Sequence, residues 1–286
     1  MKLMSKLWIA IFSILLVNTV FAAEITLILI YDGPGALEDS VNNLEKRFAI
    51  TGKKIEKVKT LNQIATTMAN FDGKGLLVMP SGSAYEYARE FHNLHNKQRE
   101  SLRTLLTTSW SYFGSGAGAY FAGNSFSVPV VRDRQTSTLD IRGSDHLLGI
   151  YNNSISSPFG IRCPASPQNT RAAKVKYPRE DQKKSAYTFI NGGAAFLIPS
   201  GQENIVALAH FDLVGAAVIK IRQPGGAITV LSGPSIEYGP GNADYLTSLG
   251  VPAKELQIVL NKPADNDLFE IIMNQFSFSG NSERAI

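Results

Sequence analysis

Residues 110–122 read WSYFGSGAGAYFA. The apolar run Trp110 to Phe113 predicts a short buried strand, and Gly114-Ser115-Gly116-Ala117-Gly118 predicts a sharp strand-to-helix elbow directly after it. Such an elbow holds one side chain on a strained turn at the carboxyl end of a central strand, and small neighbours let the backbone approach it closely. In Gly-x-nucleophile-x-Gly spacing the reactive position is Gly116, which has no side chain. The stretch predicts the frame of an active site without its reactive atom.

Upstream of the elbow, short β-rich runs alternate with helical patterns, which predicts a parallel sheet with crossover helices. Ile25 to Tyr31 reads as a first strand, followed by the turn Asp32-Gly33-Pro34-Gly35 and a helix from Leu37 to Phe48 with Leu37, Val41, Leu44 and Phe48 on one face. Ile55 to Val58 and Gly75 to Met79 read as further strands, and Thr60 to Ala69 as a helix between them. The turn Pro80-Ser81-Gly82-Ser83 then leads into one long polar helical region, Ala84 to Thr108. All these strands end in loops on one sheet edge, where α/β folds place their ligands.

Downstream the pattern changes to β-branched and aromatic runs at Val128 to Arg132, Ala173 to Tyr177, Tyr187 to Ile190, Ile205 to His210, Ala216 to Arg222 and Ala227 to Ser232. They predict mixed or antiparallel strands added to the parallel core, with Arg222-Gln223-Pro224-Gly225-Gly226 as a hairpin turn. The Pro/Ser/Lys/Arg-rich segment between Ser154 and Lys184 reads as a long surface loop, and the tail from Asn242 to Phe276 as two helical patterns. The fold class expected is α/β, a mostly parallel central sheet flanked by helices with an antiparallel extension.

At the amino terminus, Lys2 and Lys6 precede the apolar stretch Leu7 to Val17, and Val20-Phe21-Ala22 supplies a small-residue cleavage site. The expectation is a signal peptide over residues 1–22 and a single domain over residues 23–286, located in the periplasm or secreted. The apolar stretch is short for a membrane span of about 20 residues, so contact with a membrane is expected only during export. Removing Lys2 and Lys6 takes the formal charge from +4 to +2, and no Lys/Arg stripe with interleaved aromatics marks a nucleic-acid surface. The single cysteine, Cys163, cannot form an intramolecular disulfide and sits in Arg162-Cys163-Pro164 without an elbow around it.

Five segments together resemble the glutamine amidotransferase-like domain found at the N-terminus of biotin-protein ligases, within the class I glutamine amidotransferase superfamily. They are Tyr31 to Gly35, Val78 to Gly82, Tyr112 to Ala122, Asn191-Gly192-Gly193 and Leu231-Ser232-Gly233-Pro234-Ser235-Ile236-Glu237, in the family's order. The resemblance implies a flavodoxin-like core and, in the superfamily, an elbow Gly-x-Cys-Ala-Gly with a closing His-x-Glu. The cysteine attacks a glutamine amide, the histidine shuttles the proton and the glutamate orients the histidine. Carried over by position, the cysteine is Gly116, the histidine is Ser235, and the glutamate alone remains as Glu237. Pro80-Ser81-Gly82 corresponds to the Pro-Gly-Gly loop of the oxyanion hole. The resemblance concerns an accessory domain, so biotin transfer does not follow from it. The function expected is a catalytically degenerate binding or interaction module with a pocket lined by Ser81, Gly82, Ser115, Ala117 and Tyr120, taking a small molecule, peptide or protein.

Two rival readings use the same residues. Gly114 to Ala119 also fits Gly-x-Gly-x-x-Ala with Asp133 nineteen residues beyond Gly114, a dinucleotide fingerprint whose helix is cut short before Pro129. A serine hydrolase would use Ser115, one place before the elbow tip and expected to point away from it, or Ser235 beside Glu237. Its base would come from His92, His95, His146 or His210, of which His146 and His210 are placed to fold back toward the pocket. His92 and His95, at i and i+3, lack a third ligand and read as a solvated helix face. No cofactor and no metal is expected.

Overall fold

The computed structural model describes residues 24–132, 135–155, 170–179, 182–212, 215–238, 242–260 and 266–278. Residues 1–22, expected from the sequence to be a signal peptide, Asp133 and Cys163 lie outside the described residues.

The first strand, β1 (Ile25–Tyr31), is apolar nearly throughout because both its faces are covered. It pairs in parallel with β2 (Lys54–Val58) on one side and β3 (Lys74–Met79) on the other. On β3 follows β4 (Trp110–Ser115), and on β4 the late strand β12 (Ile228–Ser232), again parallel. β2 forms the sheet edge, and its sequence KIEKV puts charge where an unpaired backbone would otherwise invite another strand.

Alternation along β1 sorts the helices into two layers. Leu27, Leu29 and Tyr31 face one core with α2 (Leu61–Asn70), α3 (Ala84–His92), α4 (Asn96–Thr108) and α5 (Ala117–Phe121). Ile28 and Ile30 face the other, filled by Val41, Leu44 and Phe48 of α1 (Glu38–Ala49) and by Leu268, Phe269 and Ile272 from near the carboxyl terminus. In α1 the predicted apolar positions Val41, Leu44 and Phe48 are buried, whereas Leu37 precedes the helix and is exposed; Glu38 and Asp39 in the first turn and Lys46 and Arg47 in the last complement the helix dipole. Thr60 and Ser83 cap α2 and α3 by accepting from the amides of Gln63 and Glu86.

The sheet continues past β12 with reversed pairings. β11 (Ala216–Arg222) and β10 (Ile205–Phe211) are followed by the hairpin β8 (Arg171–Arg179) and β9 (Gln182–Ile190), giving nine strands in the order β2-β1-β3-β4-β12-β11-β10-β8-β9. The antiparallel extension therefore contributes as many strand pairings as the parallel core, and the fold class is the expected α/β type.

Several local expectations are corrected. The helical region from Ala84 to Thr108 is two helices, because the chain leaves the helix at Asn93 and re-enters at His95. Arg99, only 8% exposed, donates to the carbonyls of His92 and Leu94 across that break and satisfies them. The segment from Ser154 to Lys184 is not all loop: it holds β7 (Ser154–Ile155), the whole of β8 and the start of β9. The predicted strand Ala173 to Tyr177 lies within β8, where lysines 174 and 176 alternate with the buried Ala173, Val175 and Tyr177. The run containing Val128 to Arg132 is β5 (Ser125–Arg132), which pairs with β6 (Gln135–Arg142) and β7 in a separate three-stranded sheet rather than joining the core. The tail carries three helices, α6 (Ala243–Ser248), α7 (Ala253–Leu260) and α8 (Asn266–Met273). Among the described residues no helix is long and apolar enough to cross a membrane.

Candidate functional site

The elbow lies at the carboxyl end of β4, between β3 and β12, as the glycine pattern predicts. Gly116 sits at φ 50° and ψ −105°, a backbone region that L side chains rarely adopt. Its amide donates to the Ser232 carbonyl at 2.9 Å, which ties the turn to β12. Gly118 lies against β3, where a Cβ would stand 2.2 Å from the Met79 carbonyl oxygen, and its own carbonyl accepts from the Tyr112 hydroxyl at 2.6 Å. Three strands thus hold the turn without help from any side chain at its tip.

The space such a side chain would fill is taken. An ideal Cβ on Gly116 would meet Ser81 Oγ at 2.7 Å and Ser235 Oγ at 3.5 Å. Ser81 Oγ lies 2.9 Å from Ser235 Oγ and 3.3 Å from Ser115 Oγ. Ser115 donates to Glu237 Oε2 at 2.6 Å, and Ser40 donates to Glu237 Oε1 at 2.6 Å while accepting from the Ser81 amide at 2.9 Å. Hydroxyls from α1 and β4 bond the carboxylate directly, and those of the turn after β3 and the segment after β12 join them through Ser115.

Glu237 is 2% exposed and Ser40 and Ser115 are fully buried, while Ser235 is only half-buried and marks the side open to solvent. A carboxylate so enclosed needs donors on both oxygens, and hydrogen bonds to a charged group contribute about 1.5–3 kcal/mol each. The Arg47 guanidinium donates to the Glu237 backbone carbonyl at 3.4 Å rather than to its side chain. Burial lowers the Arg47 pKa, and the nearby Glu237 charge works against that shift. Burial also raises the Tyr87 hydroxyl well above the ordinary tyrosine range, with the charges of Glu237 and Glu90 adding to it.

Of the predicted site residues, the structure brings Ser81, Ser115, Gly116, Ser235 and Glu237 together. Ala117 follows them at the start of α5, and Gly82 is bridged to Ala36, with no room for a Cβ against the Gly35 carbonyl. Tyr120 turns elsewhere: its hydroxyl donates to the Gly192 carbonyl at 2.8 Å, anchoring the loop after β9. The histidines do not serve the site. The His92 ring stacks on His146 with centroids 4.5 Å apart, His95 begins α4 on the far side of the helix break, and His210 is exposed on β10. Among the described residues no group of three or more His, Cys, Asp or Glu could hold a metal ion. The residue that sequence reasoning missed is Ser40, and its signal was available: a serine four residues before Leu44 on the buried face of α1 needs a hydrogen-bond partner.

A parallel core with a glycine elbow at β4, an antiparallel extension and a Ser-x-Glu segment after β12 defines a class of α/β protein with a mixed central sheet. The chain belongs to the family described as Biotin-protein ligase, N terminal, which matches residues 26–268. Similar solved structures include PurLQS from Thermotoga maritima, at 10% identity and a TM-score of 0.46, covering 87% of this chain and 98% of that one. A glutamine amidotransferase from Thermotoga maritima is similar at 10% identity and a TM-score of 0.41, over 88% of this chain and 96% of that one. The carbohydrate deacetylase Agd3 is similar at 8% identity and a TM-score of 0.37, over 84% of this chain and 33% of that one. No curated protein matches the chain.

Proposed function

We propose that this chain is an exported binding member of its family, inactive as an amidotransferase, that takes a small molecule, a peptide or another protein at the mouth of the elbow. The observation that carries the reading is the pair of hydroxyls at the reactive position. Ser81 Oγ lies 2.7 Å from where a Cβ on Gly116 would stand, and Ser235 stands where the resemblance expects the imidazole. A hydroxyl cannot take over thiolate chemistry on an unactivated amide without a base as strong as imidazole close to it. The dinucleotide alternative is disfavoured because α5 has five residues, too short to pack a pyrophosphate site against the sheet.

The test is to incubate the purified protein with glutamine and follow ammonia. No release above buffer is expected, and release that Ser81→Ala abolishes would overturn the reading. Export rests on the pattern Lys2, Leu7 to Val17 and Ala22. Fractionation with amino-terminal sequencing checks it: a chain beginning at Ala23 outside the cytoplasm is expected, and an intact cytoplasmic chain would refute it.

A further inference from the structure

We propose that Ser81 has replaced the missing nucleophile and accepts an acyl group from an activated ester or thioester bound at the elbow. This rests on the reading above that the elbow mouth is where the ligand docks. The hydroxyl comes from the turn after β3 instead of from the elbow tip, yet it lies 2.7 Å from where a Cβ on Gly116 would stand. The Ser81 amide is fixed by Ser40, so its backbone position is set by a buried contact rather than by an exposed loop. Beside its 2.9 Å contact with Ser235 Oγ, Ser81 Oγ has a path to the carboxylate: Ser81 Oγ to Ser115 Oγ at 3.3 Å, then Ser115 Oγ to Glu237 Oε2 at 2.6 Å.

In the step, Ser81 Oγ bonds to the acyl carbon and the bond from that carbon to the leaving oxygen or sulfur breaks. The Ser81 proton passes to Ser115 as Ser115 gives its own to Glu237. The leaving group departs as alkoxide or thiolate and takes a proton from solvent at the open mouth, while Glu237 keeps the proton it received. Hydrolysis of the resulting ester needs a base beside an attacking water. The position that supplies one in the superfamily is Ser235, so the acyl group stays on the protein.

The experiment treats the full protein with p-nitrophenyl acetate. A burst of about one equivalent of nitrophenolate without sustained turnover is expected, with the acetyl group mapped to Ser81 by mass spectrometry. Ser81→Ala removes the burst, and Ser115→Ala slows it about a hundredfold, the scale of a lost general base, and alters its pH profile. Circular dichroism confirms that both variants fold, and Ser81→Thr, which keeps a hydroxyl, retains a slowed burst. No adduct, or an adduct on Ser235, Ser115 or a lysine instead, overturns the proposal and makes Ser81 an inert filler of the nucleophile's space. That result with no ammonia from glutamine leaves the binding reading standing, whereas ammonia release strikes at the binding reading itself.

Discussion

The carboxyl ends of β3, β4 and β12 and the strands β8 to β11 belong to one sheet but bury different chemistry. The first region encloses Ser40, Ser81, Ser115, Ser232 and Glu237. In the second, Val175, Ala209, Ala217, Val218 and Ile219 are buried, with Thr188 on β9 as a buried hydroxyl. An apolar interior is enough to hold a sheet together, as the antiparallel half demonstrates. A buried carboxylate with its retinue of hydroxyls costs desolvation that an apolar core avoids, and folding alone gives no reason to keep it.

The contrast can be broken most severely at Gly118. Gly118→Val forces a side chain onto the Met79 carbonyl, and the expected outcome is loss of soluble folded protein, measured by yield and circular dichroism. Next comes Glu237→Ala, which strands two buried hydroxyls and is expected to cost about 2–5 kcal/mol in urea unfolding. Glu237→Gln, keeping one acceptor oxygen, should cost less, and equal losses would show that the network is not organised by charge. Ile219→Ala in the other half is also expected to cost about 2–5 kcal/mol, but through a cavity alone, and to leave the Ser81 burst unchanged.

A smaller effect is expected with pH. Tyr87 and Tyr112 are fully buried, and burial raises both well above the ordinary tyrosine value of 10.0. A raised native pKa means that the unfolded chain loses these protons first, so their contribution to stability is complete below about pH 10 and declines above it. Unfolding free energy should fall from there upward, and the tyrosinate absorbance of Tyr87 and Tyr112 should appear only as the protein unfolds; their ionisation in the folded protein would contradict the burial. The smallest change belongs to Val206→Thr on the exposed face of β10, expected within about 0.5 kcal/mol of the parent.

Legibility in the sequence follows the range of the interactions. The elbow, α1 and the strand positions around them depend on local periodicity and glycine chemistry, and they stand where the pattern predicts. The network does not depend on local pattern: Ser40 meets Glu237 across 197 positions and Ser81 meets Ser235 across 154. Resemblance to a family placed Ser81, Ser115, Ser235 and Glu237 near one another, but nothing in single-sequence spacing says that Ser81 enters the vacancy at Gly116. The break between α3 and α4 was hidden for a related reason, since Arg99, which satisfies the carbonyls there, lies inside the second helix and reads as one more polar helical residue.

Phe189 lies on β9, the outermost strand of the sheet, yet its carbonyl accepts the amide of Ser235 at 2.9 Å. The extension therefore curls round until its far edge meets the end of β12. A curl closed in this way makes the two halves mechanically one body: the elbow cannot open without loosening β9, and β9 cannot fray without releasing the serine at the mouth. Heating should accordingly give one calorimetric transition rather than two, and a partner that grips β9 would be felt at Ser235.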